Sequence, residues 1–215
     1  MSSLSEQPAS PGLSTHPNEP PRFNVVVIGA SAGGIAALRR VLGDLPVPFP
    51  VAIMVVLHLS PDRPSVLTQV LARFTRMSVL WAEEGAALCP GIVYVAPRDR
   101  HLTFTAAGNI SLVRSAAVHY SRPSVDILFA SAARAFGSNV VAVVLTGNGQ
   151  DGSAGAVAVH DAGGVVIAQD ERSSEYFGMP REAIESGSVT RVVSLDAMAL
   201  TLHRIVTLGA ASLDD

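Results

Sequence analysis

Gly29-Ala30-Ser31-Ala32-Gly33 follows the apolar run Val25-Val26-Val27-Ile28, and after it Ile35, Leu38, Val41 and Leu42 recur at helical spacing. A G-x-S-x-G segment between a strand and a helix is the pattern of a nucleophile elbow, a tight turn that exposes a serine hydroxyl above a sheet. Two other glycine-rich readings fit less well. A dinucleotide fingerprint needs glycine where Ser31 stands, and a phosphate loop needs Lys then Ser or Thr after Gly34, where the chain has Ile35-Ala36. Ser31 also suits a helix cap or an anion site, so the motif alone leaves cap and nucleophile open.

A serine hydroxyl needs an adjacent base to take its proton, and a neutral histidine does so when a carboxylate fixes its tautomer. His58 closes the apolar run Val51 to Leu57, and Asp151 lies in the loop Thr146-Gly147-Asn148-Gly149-Gln150-Asp151-Gly152 after the run Val140 to Leu145. Taken singly, His58 reads as a strand-end histidine satisfied by backbone and Asp151 as a turn or cap residue. His101, His119, His160 and His203 fall in turn, loop or helix contexts, and His16 in the leader; all five read as ordinary. Asp62, Asp99, Asp126 and Asp170 are rival orienting carboxylates that read as turn or cap residues. Backbone N–H groups near Ala32 and in the Gly147–Gly149 loop are candidates to stabilise an oxyanion.

The elements that must position these groups alternate. Strands are expected over 24–28, 51–57, 77–81, 92–96, 140–145, 165–168 and 189–193, with a hairpin joining 102–105 to 110–113. Helices are expected after Gly34 and over 65–74, 123–136, 153–161, 180–184 and 195–206, with 114–122 as loop. Most strands are continuous apolar runs, as in sheets covered on both faces. The pattern predicts an α/β fold, a doubly wound, mainly parallel Rossmann-like sheet with an inserted antiparallel β-hairpin. In such sheets ligand crevices form at the carboxyl ends of the strands, which places Ser31, His58 and Asp151 on one edge.

The 215 residues are 48% hydrophobic, enough for one large core. A net charge of −3 and no dense basic block argue against nucleic acid as a partner. The single cysteine, Cys89, excludes a disulfide framework or a cysteine-based zinc site and reads as a buried or half-buried filler. No apolar run reaches the ~20 residues of a membrane span, so no membrane insertion is expected. Residues 1–22 read as a disordered Ser/Pro-rich leader without a signal core, 23–208 as the domain and 209–215 as a flexible tail. The expected location is the cytoplasm.

At this point the chain resembles the chemotaxis protein-glutamate methylesterases (CheB), in their catalytic domain. The resemblance is carried by Ile28 to Gly34, by His58 in Leu57-His58-Leu59-Ser60-Pro61, by Val95 to His101 and by Arg122 to Phe129. It continues through Leu145 to Gly152 and Phe177 to Ile184, and spans about residues 24–206. It implies a Ser–His–Asp triad of Ser31, His58 and Asp151 that hydrolyses glutamate methyl esters on chemoreceptors, and in some members deamidates glutamines. Ala32, Asn148, Gly149 and Met179 fall on the expected oxyanion and substrate loops. The chain order Ser…His…Asp differs from that of α/β-hydrolases.

The resemblance further implies no metal or organic cofactor, and methylated chemoreceptor cytoplasmic domains as partners. Well-studied members carry an N-terminal receiver domain; here a short leader precedes the elbow, so a separate response regulator or constitutive activity is the expectation. Ala32 stands where threonine is frequent, and Asn148 where T-G-M-G has methionine. Two rival classes stand beside this one: a non-catalytic receptor- or regulator-binding module of the same fold, and a nucleotide-binding Rossmann domain.

Overall fold

The computed structural model describes residues 23–58 and 66–209. Strands β1 (Val25–Ala30), β2 (Ala52–Leu57), β3 (Ser78–Trp81), β4 (Ile92–Val95), β7 (Val140–Val144), β8 (Val165–Gln169) and β9 (Arg191–Val193) form one sheet. Its order is β3-β4-β2-β1-β7-β8-β9, and every pairing is parallel. β5 (His101–Phe104) and β6 (Ile110–Val113) form a separate antiparallel hairpin with Phe104 opposite Ile110. The helices are α1 (Gly34–Asp44), α2 (Leu67–Ala72), α3 (Val125–Phe136), α4 (Ser153–Asp161), α5 (Gly178–Glu185) and α6 (Leu195–Leu208).

Alternation sorts the strand residues into two cores. Val26, Ile28 and Ala30 of β1, with Ile53, Val55 and Leu57 of β2, pack against Leu38 and Leu42 of α1, Leu71 of α2 and Leu202 of α6. Val25, Val27, Ala52, Met54 and Val56 face the other way, toward α3, α4, α5 and the hairpin. Both faces are covered, so each side chain of β1 is buried. Burying one such side chain is worth about 1.5–3 kcal/mol, which is why these strands read as unbroken apolar runs. Strand order reverses between β1 and β7, and that switch point is where crevices form in open α/β sheets.

The parallel sheet, the inserted hairpin and most element positions agree with the sequence reading. The expected helix over 65–74 is α2, 67–72; residue 65 lies outside the described residues, as do Asp62, the leader 1–22 and residues 210–215. The helix placed at Pro180 begins at Gly178, with the proline in the first turn, where its missing N–H costs nothing. Cys89 is exposed, not a buried filler: it lies on the surface turn before Gly91, its Sγ against the Ala87 carbonyl at 4.0 Å. The segment 114–122 is loop, as expected, and contains one tight turn. Val118 and Ser121 exchange backbone hydrogen bonds around His119 and Tyr120, both at positive φ.

Candidate active site

Parallel register brings the first two residues together. Ala30 of β1 is paired with Leu57 of β2, and the His58 N–H donates to the Ala30 carbonyl at 3.1 Å. Ser31 and His58 are thus the next residues of neighbouring strands, which lie roughly 4.8 Å apart. The alternation of both strands carries them to the α3 side. Gly29 shows how close α3 comes: a Cβ built there would lie 2.2 Å from Cγ1 of Val125, so only glycine fits. Gly33 is the left-handed residue, φ 75°, from which α1 starts.

Asp151 is nearly buried, 3% exposed, and its carboxylate takes four donors. Oδ2 accepts from Nε2 of His58 at 2.7 Å and from the Val125 N–H at 2.8 Å. Oδ1 accepts from Oγ of Ser124 at 2.8 Å and from the Asp126 N–H at 2.9 Å. Burial pushes the Asp151 carboxyl upward, but the hydrogen bonds from His58, from the backbone of Asp126 and Val125, and from Ser124 prevail and hold it below the usual range. Ionised, it can only accept, so the proton of a neutral His58 sits on Nε2 and Nδ1 carries the lone pair. This reverses the familiar serine-protease arrangement, in which the carboxylate holds Nδ1 and Nε2 faces the serine. No direct hydrogen bond joins the Ser31 hydroxyl to His58 among the described residues. Such contacts often close only around substrate.

The loop after β7 is clamped from behind. Thr146 N–H donates to Oε1 of Gln169, which is fully buried, and Nε2 of Gln169 donates to the Ser173 carbonyl, both at 2.8 Å. Oγ1 of Thr146 accepts from the Tyr176 N–H at 2.9 Å and lies 3.1 Å from the Ala32 carbonyl. The Ser31 N–H donates to the Thr146 carbonyl and the Gly147 N–H to that of Tyr176, so neither is open to an oxyanion. The N–H groups of Ala32, Asn148 and Gly149 have no acceptor among the described residues. Asn148 and Gly149 are exposed and Ala32 is half-buried. Met179 is fully buried rather than surface-lining. Its N–H donates to the Gly147 carbonyl at 2.8 Å, and its Sδ would lie 2.3 Å from a Cβ at Gly147.

The rival carboxylates are otherwise engaged. Asp99 pairs with Arg122 and Arg114, and Asp170 accepts from the Ser173 N–H. Asp126 accepts from the N–H groups of Gly152 at 2.9 Å and Gly155 at 2.7 Å, capping α4. Gln169, Ser124 and His101 enter the site only through tertiary contacts. A polar residue ending the apolar run of β8 and a Pro-Ser helix start were the available signals. Among the described residues, no three His, Cys, Asp or Glu side chains are grouped to hold a metal ion. No helix there is long and apolar enough to cross a membrane.

A serine, a histidine and a carboxylate at the carboxyl edge of a parallel sheet define an α/β domain with the constellation that serine hydrolases use. The chain belongs to the CheB methylesterase family, whose model matches residues 26–202. It is similar to the protein-glutamate methylesterase/protein-glutamine glutaminase of Salmonella typhimurium, 40% identical over 190 residues, 87% of this chain and 54% of that one. Protein-glutamate methylesterase/protein-glutamine glutaminase 4 of Myxococcus xanthus is 44% identical over 181 residues, 84% of this chain and 51% of that one. The chain thus spans about half the length of these curated relatives. The crystal structure of the Thermotoga maritima CheB methylesterase catalytic domain superposes with a TM-score of 0.83 at 37% identity, covering 86% of this chain and 99% of that one.

Proposed function

We propose that this chain is a protein-glutamate methylesterase that removes methyl groups from glutamate esters on chemoreceptor cytoplasmic domains. The observation that carries the reading is the 2.7 Å link from His58 Nε2 to the buried Asp151 carboxylate, one strand away from Ser31. Ser31 Oγ attacks the ester carbonyl while Nδ1 of His58 takes its proton. The ionised Asp151 stabilises the imidazolium that results. The N–H of Ala32, with that of Asn148 or Gly149, faces the oxyanion of the tetrahedral intermediate.

Collapse of the intermediate expels methanol, which leaves with the proton from His58. Water then attacks the acyl-enzyme, His58 again serving as base, and glutamate and free Ser31 are regenerated. With a glutamine amide the same steps release ammonia, the second activity named for the relatives. No step calls on a metal or organic cofactor, and the location that suits such receptors is the cytoplasm.

Methanol release from methylated receptor cytoplasmic domains tests the reading. Wild type is expected to release methanol, and folded Ser31→Ala and His58→Ala are expected to lose that release. Undiminished release by folded Ser31→Ala overturns it.

A further inference from the structure

His101, the first residue of β5, is fully buried, and the steps above make no use of it. Both ring nitrogens are engaged: Nδ1 with the Ser124 N–H at 3.2 Å and Nε2 with the Ala116 carbonyl at 3.0 Å. A backbone N–H only donates and a carbonyl only accepts. The ring is therefore neutral, with its proton on Nε2. A doubly protonated ring would set one N–H against another.

Ser124 is the residue on which Asp151 leans. Three of the four donors to that carboxylate come from residues 124, 125 and 126, the N-cap and first turn of α3. The Ser124 hydroxyl also accepts from the Ile127 N–H at 3.4 Å, closing the first turn. The serine's own N–H lies outside the helix and goes to His101.

We infer that His101 is a positioning residue of the active site: by accepting the Ser124 N–H on Nδ1 it sets the start of α3, which orients Asp151 and through it His58. The inference rests on the Ser31, His58 and Asp151 reading above. A purely structural role, tying the hairpin to the 114–122 segment through Ala116, is the competing account. The two bonds are separable, because an asparagine amide oxygen reaches the place of Nδ1 while a glutamine amide reaches that of Nε2. His101→Asn keeps an acceptor for Ser124, and His101→Gln keeps the partner of Ala116.

The test is kcat and KM for methanol release, with thermal midpoints as a check on folding. His101→Gln is expected to lower kcat by up to about 10²-fold with little change in KM, as misplacement of a catalytic group does. His101→Asn is expected to recover most of that loss, and in an Asp151→Asn background His101→Gln is expected to cost nothing more. Equal losses for Asn and Gln, or the same loss from His101→Gln in both backgrounds, overturns the role of His101. Full activity of Asp151→Asn alone overturns the active-site reading instead. In wild type, ¹⁵N shifts of the His101 ring are expected to show the Nε2–H tautomer; the opposite tautomer overturns the inference without any variant.

Discussion

Two carboxylate–histidine pairs lie on neighbouring helix starts, and they behave in opposite ways. Asp151, just before α4, accepts from the first turn of α3; Asp126, in the first turn of α3, accepts from Gly152 and Gly155 at the start of α4. Each helix is thus capped by the carboxylate of the other. His58 meets Asp151 at 2.7 Å with side chains 17% and 3% exposed, whereas His119 meets Asp126 at 3.4 Å with 40% and 11%. Burial raises the Asp126 carboxyl, the hydrogen bonds from Gly155 and Gly152 lower it, and the nearby Asp151 charge adds to the rise, so the net shift is upward. Asp151 is buried too, yet four donors, His58 among them, turn its balance downward. With both carboxyls buried, the donors set the two shifts in opposite directions, and a lowered carboxyl beside a histidine favours the ionised form. That is the condition for holding an imidazolium.

The comparison breaks first on activity. Asp151→Asn is expected to lower kcat by about 10⁴-fold, the size of effect seen when a triad carboxylate becomes an amide. Asp126→Asn is expected to leave kcat near wild type. Equal losses in methanol release would mean that the two pairs are not distinct. The shared helix start comes next. Gly29→Ala drives a Cβ into Val125, and such overpacking typically costs about 1–3 kcal/mol. Urea denaturation is expected to show that loss, and Val125→Ala to restore part of it; an unshifted midpoint sinks the packing argument.

Asp126→Ala strands the Gly152 and Gly155 N–H groups and is expected to cost about 1–3 kcal/mol, while Asp126→Asn, which keeps an acceptor, costs less. Acid separates the pairs further. The depressed Asp151 contributes stability above its unfolded value of about 3.9, and this fades as pH falls through its lower folded value. The raised Asp126 subtracts stability above its folded value and is relieved as pH falls. Thermal midpoints from about pH 6 down to pH 3 are therefore expected to fall more steeply in Asp126→Asn than in wild type, and less steeply in Asp151→Asn. The reverse ordering would contradict the assigned shifts. Smallest of all, His119→Ala is expected to change stability by less than about 1 kcal/mol, as loss of a partly exposed polar contact does.

Much of this was legible in the chain. The continuous apolar runs of β1, β2 and β7 announced strands covered on both faces, and the carboxyl ends of those strands pointed to Ser31, His58 and the Asp151 loop. Other features have no local signature. Cys89, Pro90 and Gly91 do not say whether a small thiol faces inward or out. Met179 could not be told apart from a substrate contact, because its burial beneath Gly147 depends on α5 packing against the β7 loop. His101 reads as ordinary and Gln169 carries no local signal, because their partners, Ser124 and Thr146, are 23 residues away in each case.

Residue type and period determined the strands, the elbow turn and the edge on which three polar side chains end, since hydrophobic alternation and glycine's tolerance of positive φ act within a few residues. Only the tertiary structure decided which aspartate holds His58 and by which ring nitrogen. Asp126 and Asp151 are chemically identical and both sit at helix starts. What separates them is the set of N–H and side-chain donors that α3, α4 and β2 bring to each carboxylate, and that set exists only when the helices are docked on the sheet.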